Sequence, residues 1–485
     1  MIKNNIFGIS IFFLLLLFAC KKESLLTDGK ATLSFSSDTI QFDTVFTTIG
    51  SITKHLKVYN NNDFNVLTNI SLEGTEKELF EMNIDGISVN NLKNVEILAN
   101  DSIFIFIEVR INPNNQSLPF IIESLIKFNT VGKLQNVKLV AYGQNAYFHT
   151  ANTYGMILDG NDTLIFYYDS LDCNEVWSND KPHVIYGYSI INPSCVLNIE
   201  AGTEIYLHKN SGIIVGNPFS SNFGGTLKVN GSLGNEVTFQ GDRLDSWYKD
   251  SPGQWDRIWL MPGSIDNEFN HTIIRNGNIG IHADSVGNSN PTAIINNTII
   301  ENMSSIGIFG QGANLEINNT IVSNCGQYSV ACNIGGEYEF THCTFANYWD
   351  FNHRNTPSIL LNNFYTDINE IVHIRDLNKA NFVNCIIDGS LSTEIEFQKN
   401  NTGTFNFTFD HSLIKIDPKE NTNTSDYINI IKNEDPHFVD KNSGDFHLES
   451  NSPAIDAGKI TILNTDLEEN VRDNLPDLGI YELVN

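Results

Sequence analysis

Basic side chains are scarce in this sequence. It holds 29 Lys and Arg against 57 Asp and Glu, a formal net charge of −28 over 485 residues. Neutralising phosphates takes stripes of Lys and Arg, so nucleic acid and anionic lipid headgroups are excluded as natural partners of this surface. The acidity serves solubility through self-repulsion, and no residue pattern prompts a calcium site. Cysteine is sparse too. Beyond Cys20 there are only Cys173, Cys195, Cys325, Cys332, Cys343 and Cys385. An oxidising compartment permits disulfides among them, but six in so long a chain make no disulfide scaffold. Neither a CxxC pair nor a His-x-x-x-His spacing occurs, so neither a zinc site nor any other metal or cofactor is expected. Helical periodicity is nearly absent, and the length predicts two or three domains.

Long apolar runs are missing except for one, from Ile6 to Phe18. It follows a basic tip at Lys3 and ends in Ala19-Cys20-Lys21-Lys22. Basic tip, apolar core and a small residue at the cut are the marks of a secretory signal. The run falls short of the roughly 20 residues that a spanning helix needs. Leu17-Phe18-Ala19-Cys20 resembles the lipobox of bacterial lipoproteins, which implies cleavage before Cys20 and acylation of that cysteine. The expected partner is therefore a membrane, held through the lipid anchor. Lys21 after the cysteine resembles the sorting signal for the outer membrane, on its periplasmic or its external face. Residues 1–20 are then the signal and 21–30 a tether.

From Ala31 to Gln144 the sequence alternates apolar and polar residues in short runs: Ile40–Phe46, Leu56–Val58, Val66–Leu72, Ile103–Val109 and Val137–Val140. Turn clusters separate them at Asn60–Asp63, Ala99–Asp101 and Asn112–Asn115. This spacing predicts a β-sandwich of about 110 residues over 31–145. Phe42–Gly50 followed by Lys57–Asn60 resembles the immunoglobulin-like module found near the anchor of many Bacteroidota lipoproteins. A connector is expected over 146–175.

The remainder is repetitive. Phe269-Asn-His-Thr-Ile-Ile-Arg-Asn276, Ile295-Asn-Asn-Thr-Ile-Ile-Glu-Asn302 and Ile317-Asn-Asn-Thr-Ile-Val-Ser-Asn324 are near copies. Segments from Phe340, Phe382 and Phe409 share the form. The aligned polar residue is His271, Asn297, Asn319, His342, Asn384 and His411, at gaps of 26, 22, 23, 42 and 27 residues. The gap of 42 is either two coils or one coil with a long loop between Trp349 and Arg375. A period of this size signals stacked supersecondary units. The β-branched, Asn-rich repeats fit a right-handed parallel β-helix over 176–459, with Asn residues bonding to their copies along the stack. The ladder residues are read as structural, and Cys343 and Cys385, which fill the Thr slot, as small packed side chains. Asp435–Asp440, Ser452–Gly458 and Pro476–Glu482 resemble the closing segment of pectin-lyase-like β-helix proteins, here expected over 460–485. The fold class is thus all-β: a sandwich, then a solenoid. The resemblance covers roughly residues 176–485 and implies the fold. The superfamily includes polysaccharide lyases, glycoside hydrolases and members without a known reaction, so the activity stays open.

The coil strands carry few carboxylates and no Asp-Asp pair, which weighs against the familiar lyase and hydrolase sites. The densest polar and aromatic stretch runs from Gln240 to Gly263. Alternation over Trp255–Leu260 turns Ile258 and Leu260 inward and Trp255, Arg257 and Trp259 outward. With Trp247 and Tyr248 these make a candidate surface for a polysaccharide, aromatic faces stacking on sugar rings and charged groups reading hydroxyls. The competing reading is structural: Pro252–Ile258 resembles the Gly-x-Trp-x-Gly-Ile coil of such helices, with Arg257 in place of the glycine. Were the chain an enzyme, Asp242, Arg243, Asp245, Asp256 and Arg257 are the acid–base candidates. A second, weaker candidate is the loop bearing Trp349, Asp350, His353 and Arg354. Two functions are carried forward: an anchored protein displaying a glycan-binding helix, and a carbohydrate-active enzyme.

Overall fold

The alternation seen in the first part of the chain becomes strands with one wet and one dry face. The computed structural model describes residues 25, 31–47, 50–113, 120–159, 162–219, 224–284 and 291–484. Cys20 and the signal segment lie outside them, as do the tether apart from Leu25 and the turn residues Asn114 and Asn115. In Asp101–Val109 the dry face is Ile103, Ile105, Ile107 and Val109, while Phe104 and Phe106 stay exposed. Two five-stranded sheets result. One is ordered Ser34–Phe35, Lys54–Asn60, Asp101–Val109, Phe80–Ile84, Ile87–Ser88; the other Thr39–Phe46, Lys133–Gln144, Phe120–Thr130, Val66–Glu73, Asn91–Ile97. Pairing is antiparallel except that Thr39–Phe46 runs parallel to Lys133–Gln144. Their dry faces share one core, which includes Phe42, Leu56, Phe80, Ile105, Ile126 and Phe128.

The chain divides into two compact units between Asn145 and Ala146. The second is a parallel β-helix, with large parallel sheets and no α-helix among the described residues. Its register stacks like on like. Phe269, Ile295, Ile317, Phe340, Phe382, Phe409 and Tyr427 form one inward column. The rings of Phe340, Phe382 and Phe409 lie 4.5 and 4.8 Å apart, the spacing of neighbouring strands. At the end of each rung the chain turns through a left-handed residue. His271, Asn297, Asn319, His342, Asn384 and His411 all have φ between 42° and 54°, a region Asn tolerates better than most side chains. Along the stack Asn297 donates to His271 (3.2 Å), Asn319 to Asn297 (3.2 Å) and Asn384 to His342 (2.9 Å). The next slot is equally regular. Thr298 and Thr320 donate to the carbonyl two residues back, at 2.8 and 2.9 Å, and the Cys343 and Cys385 thiols point to the equivalent carbonyls. The four unpaired cysteines among the described residues are buried.

Several boundaries differ from expectation. Residues 146–175 are no connector: Tyr147–Thr150 pairs in parallel with His183–Tyr186, and Asp162–Ser170 with Tyr188–Ile191, so this stretch is the first coil. Cys173 is bridged to Cys195, 22 residues and one coil further on. The gap of 42 is a single coil, since Gly336–Thr341 pairs directly with Leu377–Val383. The last rung ends at Ile431–Lys432, not near 459. From Asp435 the chain returns along the side of the helix. Phe438, Phe446, Leu448, Ala454, Leu467, Leu478 and Ile480 pack over Ile299, Ile321, Ile386 and Leu413, the outward row of the long sheet. Lys459 bonds through its backbone N–H and carbonyl to Asn384, and Arg472 donates to Asn319 at 3.2 Å. The returning segment is thus fastened to the corner ladder.

Two predictions follow from the ladder. Asn384 bonds to His342 and twice to Lys459, and its φ is 54°. Asn384→Ala should cost about 3–5 kcal/mol, from lost buried hydrogen bonds and a strained backbone. Asn384→Gly should recover about 1 kcal/mol of this. Equal unfolding midpoints for the two variants would contradict the backbone part of the account. His342 is held near a pKa of about 3, first by burial and then by the Arg472 guanidinium. Its folded pKa lies below the unfolded value, so its contribution is complete above about pH 6.5 and is lost as pH falls toward 3. His342→Asn, the residue of neighbouring rungs, should remove about 2–3 kcal/mol of the destabilisation seen near pH 4.5. Unfolding curves of both proteins against pH provide the check.

Candidate functional site

The strand Trp255–Leu260 sits in the ten-stranded sheet between Gly212–Val215 and Gly277–Ala283. Ile258 and Leu260 face the core as expected. Trp255 does not face out. It is 1% exposed, and its indole N–H donates to the Arg275 carbonyl at 2.8 Å. The alternation slips because both Asp256 and Arg257 face away from the core, beside a register shift in the pairing with Gly277–Ala283. The indole lies over Gly277, where a Cβ would approach the ring to 2.8 Å. Trp255 is therefore a core residue and forms no part of a ligand surface, contrary to the outward position that alternation predicts.

Arg257 and Trp259 do face outward, into a closed network. Arg257 donates to both oxygens of Asp256, at 2.9 and 3.2 Å, and approaches His282 Nδ1 at 3.3 Å. Tyr188 donates its hydroxyl to Asp256. With Nδ1 accepting from Arg257, His282 Nε2 donates to Gln311 at 2.7 Å. Burial holds the His282 pKa down, and so does the Arg257 charge. Trp259, His282 and Phe309 form a ladder with centroids 5.1 and 4.8 Å apart and nearly parallel planes. A sugar stacks on an exposed ring face, but here each ring covers its neighbour and offers solvent an edge. Asp256, Arg257 and Trp259 consequently clamp the sheet.

The polar loop after Gln240 is arranged otherwise. Successive rungs Ile185, Leu207 and Gly241 are in register, so the residues that follow them, Tyr186, His208 and Asp242, meet at one corner. The Asp242 carboxylate accepts from Tyr186 at 3.0 Å and from His208 Nδ1 at 2.8 Å. The Tyr186 and His208 rings stack at 4.4 Å. Burial, reinforced by Asp242, keeps the Tyr186 phenol protonated and so a donor. The His208 side chain is 46% exposed. With Nδ1–H donated to Asp242, its Nε2 has no hydrogen-bond partner among the described residues.

The adjoining loop is braced by the scaffold. Gln254 donates to the carbonyls of Tyr248, Lys249 and Ser251. Asn276 and Asn302, from two consecutive coils, hold the Lys249 and Asp250 carbonyls. Arg243 pairs with Asp245 at 3.2 Å and lies 3.8 Å over the Tyr248 ring and 5.1 Å from that of Trp247. Trp247 is 67% exposed. A loop fixed by scaffold amides thus displays an indole beside a guanidinium, with His208 and Asp242 at its base.

Of the sequence-selected residues, Asp242, Arg243, Asp245, Trp247 and Tyr248 come together here. Asp256, Arg257 and Trp259 belong to the sheet network, and Trp255 to the core. His208 and Tyr186 were not selected; their signal was the rung register, which places them one and two coils before Asp242. In the loop after Trp349, Trp349 is buried and Arg354 forms a buried pair with Glu394 at 2.7 Å, while Asp350 and His353 are exposed. No group of three or more His, Cys, Asp or Glu able to hold a metal occurs among the described residues.

Trp255→Ala should destabilise the protein by about 3–5 kcal/mol, as large-to-small core changes do. Trp247→Ala should move it by no more than about 0.5 kcal/mol. Thermal unfolding of the two variants separates core tryptophan from displayed tryptophan, and the reverse order would invalidate both assignments.

No family model matches the chain, and no curated protein matches it. Among solved structures, a GH87 α-1,3-glucanase catalytic domain in complex with nigerose aligns at 11% identity over 74% of this chain and 81% of that one, with a TM-score of 0.22. A PapD-like domain of a human protein aligns at 10% identity over 25% of this chain and 89% of that one, TM-score 0.18. A family 123 glycoside hydrolase from Clostridium perfringens aligns at 10% identity over 24% of this chain, TM-score 0.19, and the match spans 30% of that hydrolase. At such identities and scores these likenesses carry no argument about activity.

Proposed function

We propose that the mature chain is an exported, lipid-anchored protein that binds carbohydrate on its β-helix. The observation that carries the binding reading is Trp247: an exposed indole on a braced loop, beside Arg243 and Tyr248 and next to the His208–Asp242 pair. An aromatic face with adjacent charge-assisted donors and acceptors is suited to a sugar ring and its hydroxyls. Export is supported by the lipobox-like Leu17–Cys20 and by the Cys173–Cys195 bridge, which fits an oxidising compartment. Acyl chains on Cys20 would hold the protein at a membrane by about 0.8 kcal/mol per buried methylene, with Lys21 directing it to the outer membrane. The two-sheet unit after the tether is read as an Ig-like module. Phosphate-rich polymers are unsuited to a surface of this acidity.

The second reading is a carbohydrate-active enzyme, a polysaccharide lyase or glycoside hydrolase. What favours it is His208, oriented by Asp242 with Nε2 open, the geometry of a general base. Binding stands ahead because Asp242, Asp245 and Asp256 are each engaged by a cation or by histidine.

In a polysaccharide-binding screen the mature protein should retain at least one glycan. Trp247→Ala should weaken that binding about tenfold or more, the worth of one aromatic contact, while Trp259→Ala leaves it within about twofold. A wild-type protein that binds nothing across neutral and acidic panels would sink the binding reading. Release of unsaturated or reducing ends, abolished by His208→Ala, would put the enzyme first. For the anchor, Cys20→Ala should move the protein from the membrane to the soluble fraction; unchanged partitioning would refute lipidation.

A further inference from the structure

A cleft of about 580 Å³ opens where the returning C-terminal segment meets the side of the β-helix. Tyr348, Asp388 and Lys415 line it from the coils, and Glu434, Asp435 and Lys441 from the residues that follow the last rung. Parallel register builds the coil side. Ala346 pairs with Asp388, and Ile387 with Ile414, so Lys415 falls next in the row that contains Asp388. The two preceding coils place Ser323 and Ala346 in this row. Further back the same row holds Arg275 and Glu301; Ser323 and Ala346 separate that pair from Asp388 and Lys415, which face the cleft.

These charges are set in place. Both oxygens of Asp388 are engaged, one by the Tyr348 hydroxyl and the other by Lys415 Nζ at 3.0 Å. Lys415 also donates to the Gly389 carbonyl, which leaves one of its three N–H groups uncommitted. Burial, with Asp388 next, holds the Tyr348 phenol protonated. Lys441 Nζ stands 5.0 Å over the Tyr348 ring, and neither it nor Glu434 forms an ion pair among the described residues. The Asp388 side chain is only 8% exposed. Withdrawing an ion pair from water costs several kcal/mol unless its remaining hydrogen-bonding capacity is used.

The charge count selects the ligand. Lys415 offsets Asp388, which leaves Lys441 against Glu434 and Asp435, so the cleft retains net negative charge. A uronate, sulfate or phosphate group is repelled. An uncharged vicinal diol is matched, because each hydroxyl can donate to a carboxylate and accept from an ammonium. The volume lies in the range of small-molecule sites. We infer that this cleft is a second ligand site, distinct from the Trp247 loop, and that it takes the uncharged, vicinally hydroxylated end of a neutral saccharide. The inference rests on the carbohydrate reading above but uses different coils and different residues.

Isothermal titration of the full mature chain with neutral gluco-oligosaccharides, and with uronate oligosaccharides of equal length, tests it. The variants are Asp388→Asn, Lys441→Ala and Trp247→Ala. The expected result is neutral-oligosaccharide binding that survives in part in Trp247→Ala, and a residual binding that weakens about tenfold or more when Asp388→Asn or Lys441→Ala is added to Trp247→Ala, each removing a charge-assisted contact. Uronates should bind the cleft at least tenfold more weakly than neutral sugars. Because the site spans rungs and returning segment, its ligand should also raise the thermal midpoint. Should Asp388→Asn fail to fold, Lys441→Ala, on an exposed turn, still decides. Neutral-sugar binding lost in Trp247→Ala and untouched in Lys441→Ala overturns the cleft while leaving the carbohydrate reading intact. No saccharide binding by the wild type overturns both, and a preference for uronates overturns the charge argument alone.

Discussion

Everything in the second unit depends on parallel rungs repeating in register at about 4.8 Å, because that repeat decides what each side chain meets. A residue in a coil is packed chiefly against its own copies. Aromatic rings can then stack in a column, as Phe340, Phe382 and Phe409 do. A turn residue must be able to bond to its copies above and below. Asn meets that demand and the positive φ together: its amide donates to one neighbour, its carbonyl accepts from another, and its backbone tolerates the left-handed corner. His substitutes only where the neighbouring amide can donate to its ring nitrogen, as at His271 and His342. The ladder histidines are thus held by neighbouring amides, His271 by Asn297 and His342 by Asn384, which makes them poor candidates for chemistry.

The same register explains a feature that a bare solenoid does not need. Four repeats carry two consecutive large aliphatic residues, Ile273-Ile274, Ile299-Ile300, Ile321-Val322 and Ile386-Ile387, although strand alternation can bury only one of them in the interior. The other lies on the outer face. The C-terminal segment covers this outward row and is fastened to the ladder by Asn384, Asn319 and Arg472. Each large aliphatic side chain so covered is worth about 1.5–3 kcal/mol. The returning segment thus completes a second core along the outside of the coil stack, and it forms one wall of the cleft at Lys441 only because that apolar row draws it there.

The sequence made the repeats legible because the physics of stacking writes itself as identity: the ladder positions, the Thr/Cys slot and the inward Ile258 and Leu260 all stand where spacing placed them. What stayed hidden has specific causes. Strict alternation misplaces Trp255 because the pairing of its strand shifts register, and a glycine in the next coil, Gly277, makes room for the indole. The first coil was mistaken for a connector because it lacks the Asn signature: it stacks through Tyr147–Thr150 and a hairpin before the repeat begins. The meeting of His208 with Asp242 needs a register that no local motif carries. The cleft needs more still, since it combines a coil row with residues after the last rung.

These misses share a pattern that bears on function. Where the repeat is obeyed, polar groups are largely taken up by neighbouring coils, as Arg275 is by Gln240. The charged groups that line the candidate sites stand in the long loop after Gly241 and in the row where Ser323 and Ala346 are followed by Asp388 and Lys415. Trp259 illustrates the other side of the rule, because its face is taken by His282 from the next coil and the indole is lost to recognition even though it points away from the core. Trp247 escapes that fate only by leaving the rungs for a loop with no copy above or below it. In a stacked fold, then, exposure on the outer face is not enough to make an aromatic residue available; it must also stand outside the repeat, and that criterion separates the candidate binding residues from their structural look-alikes.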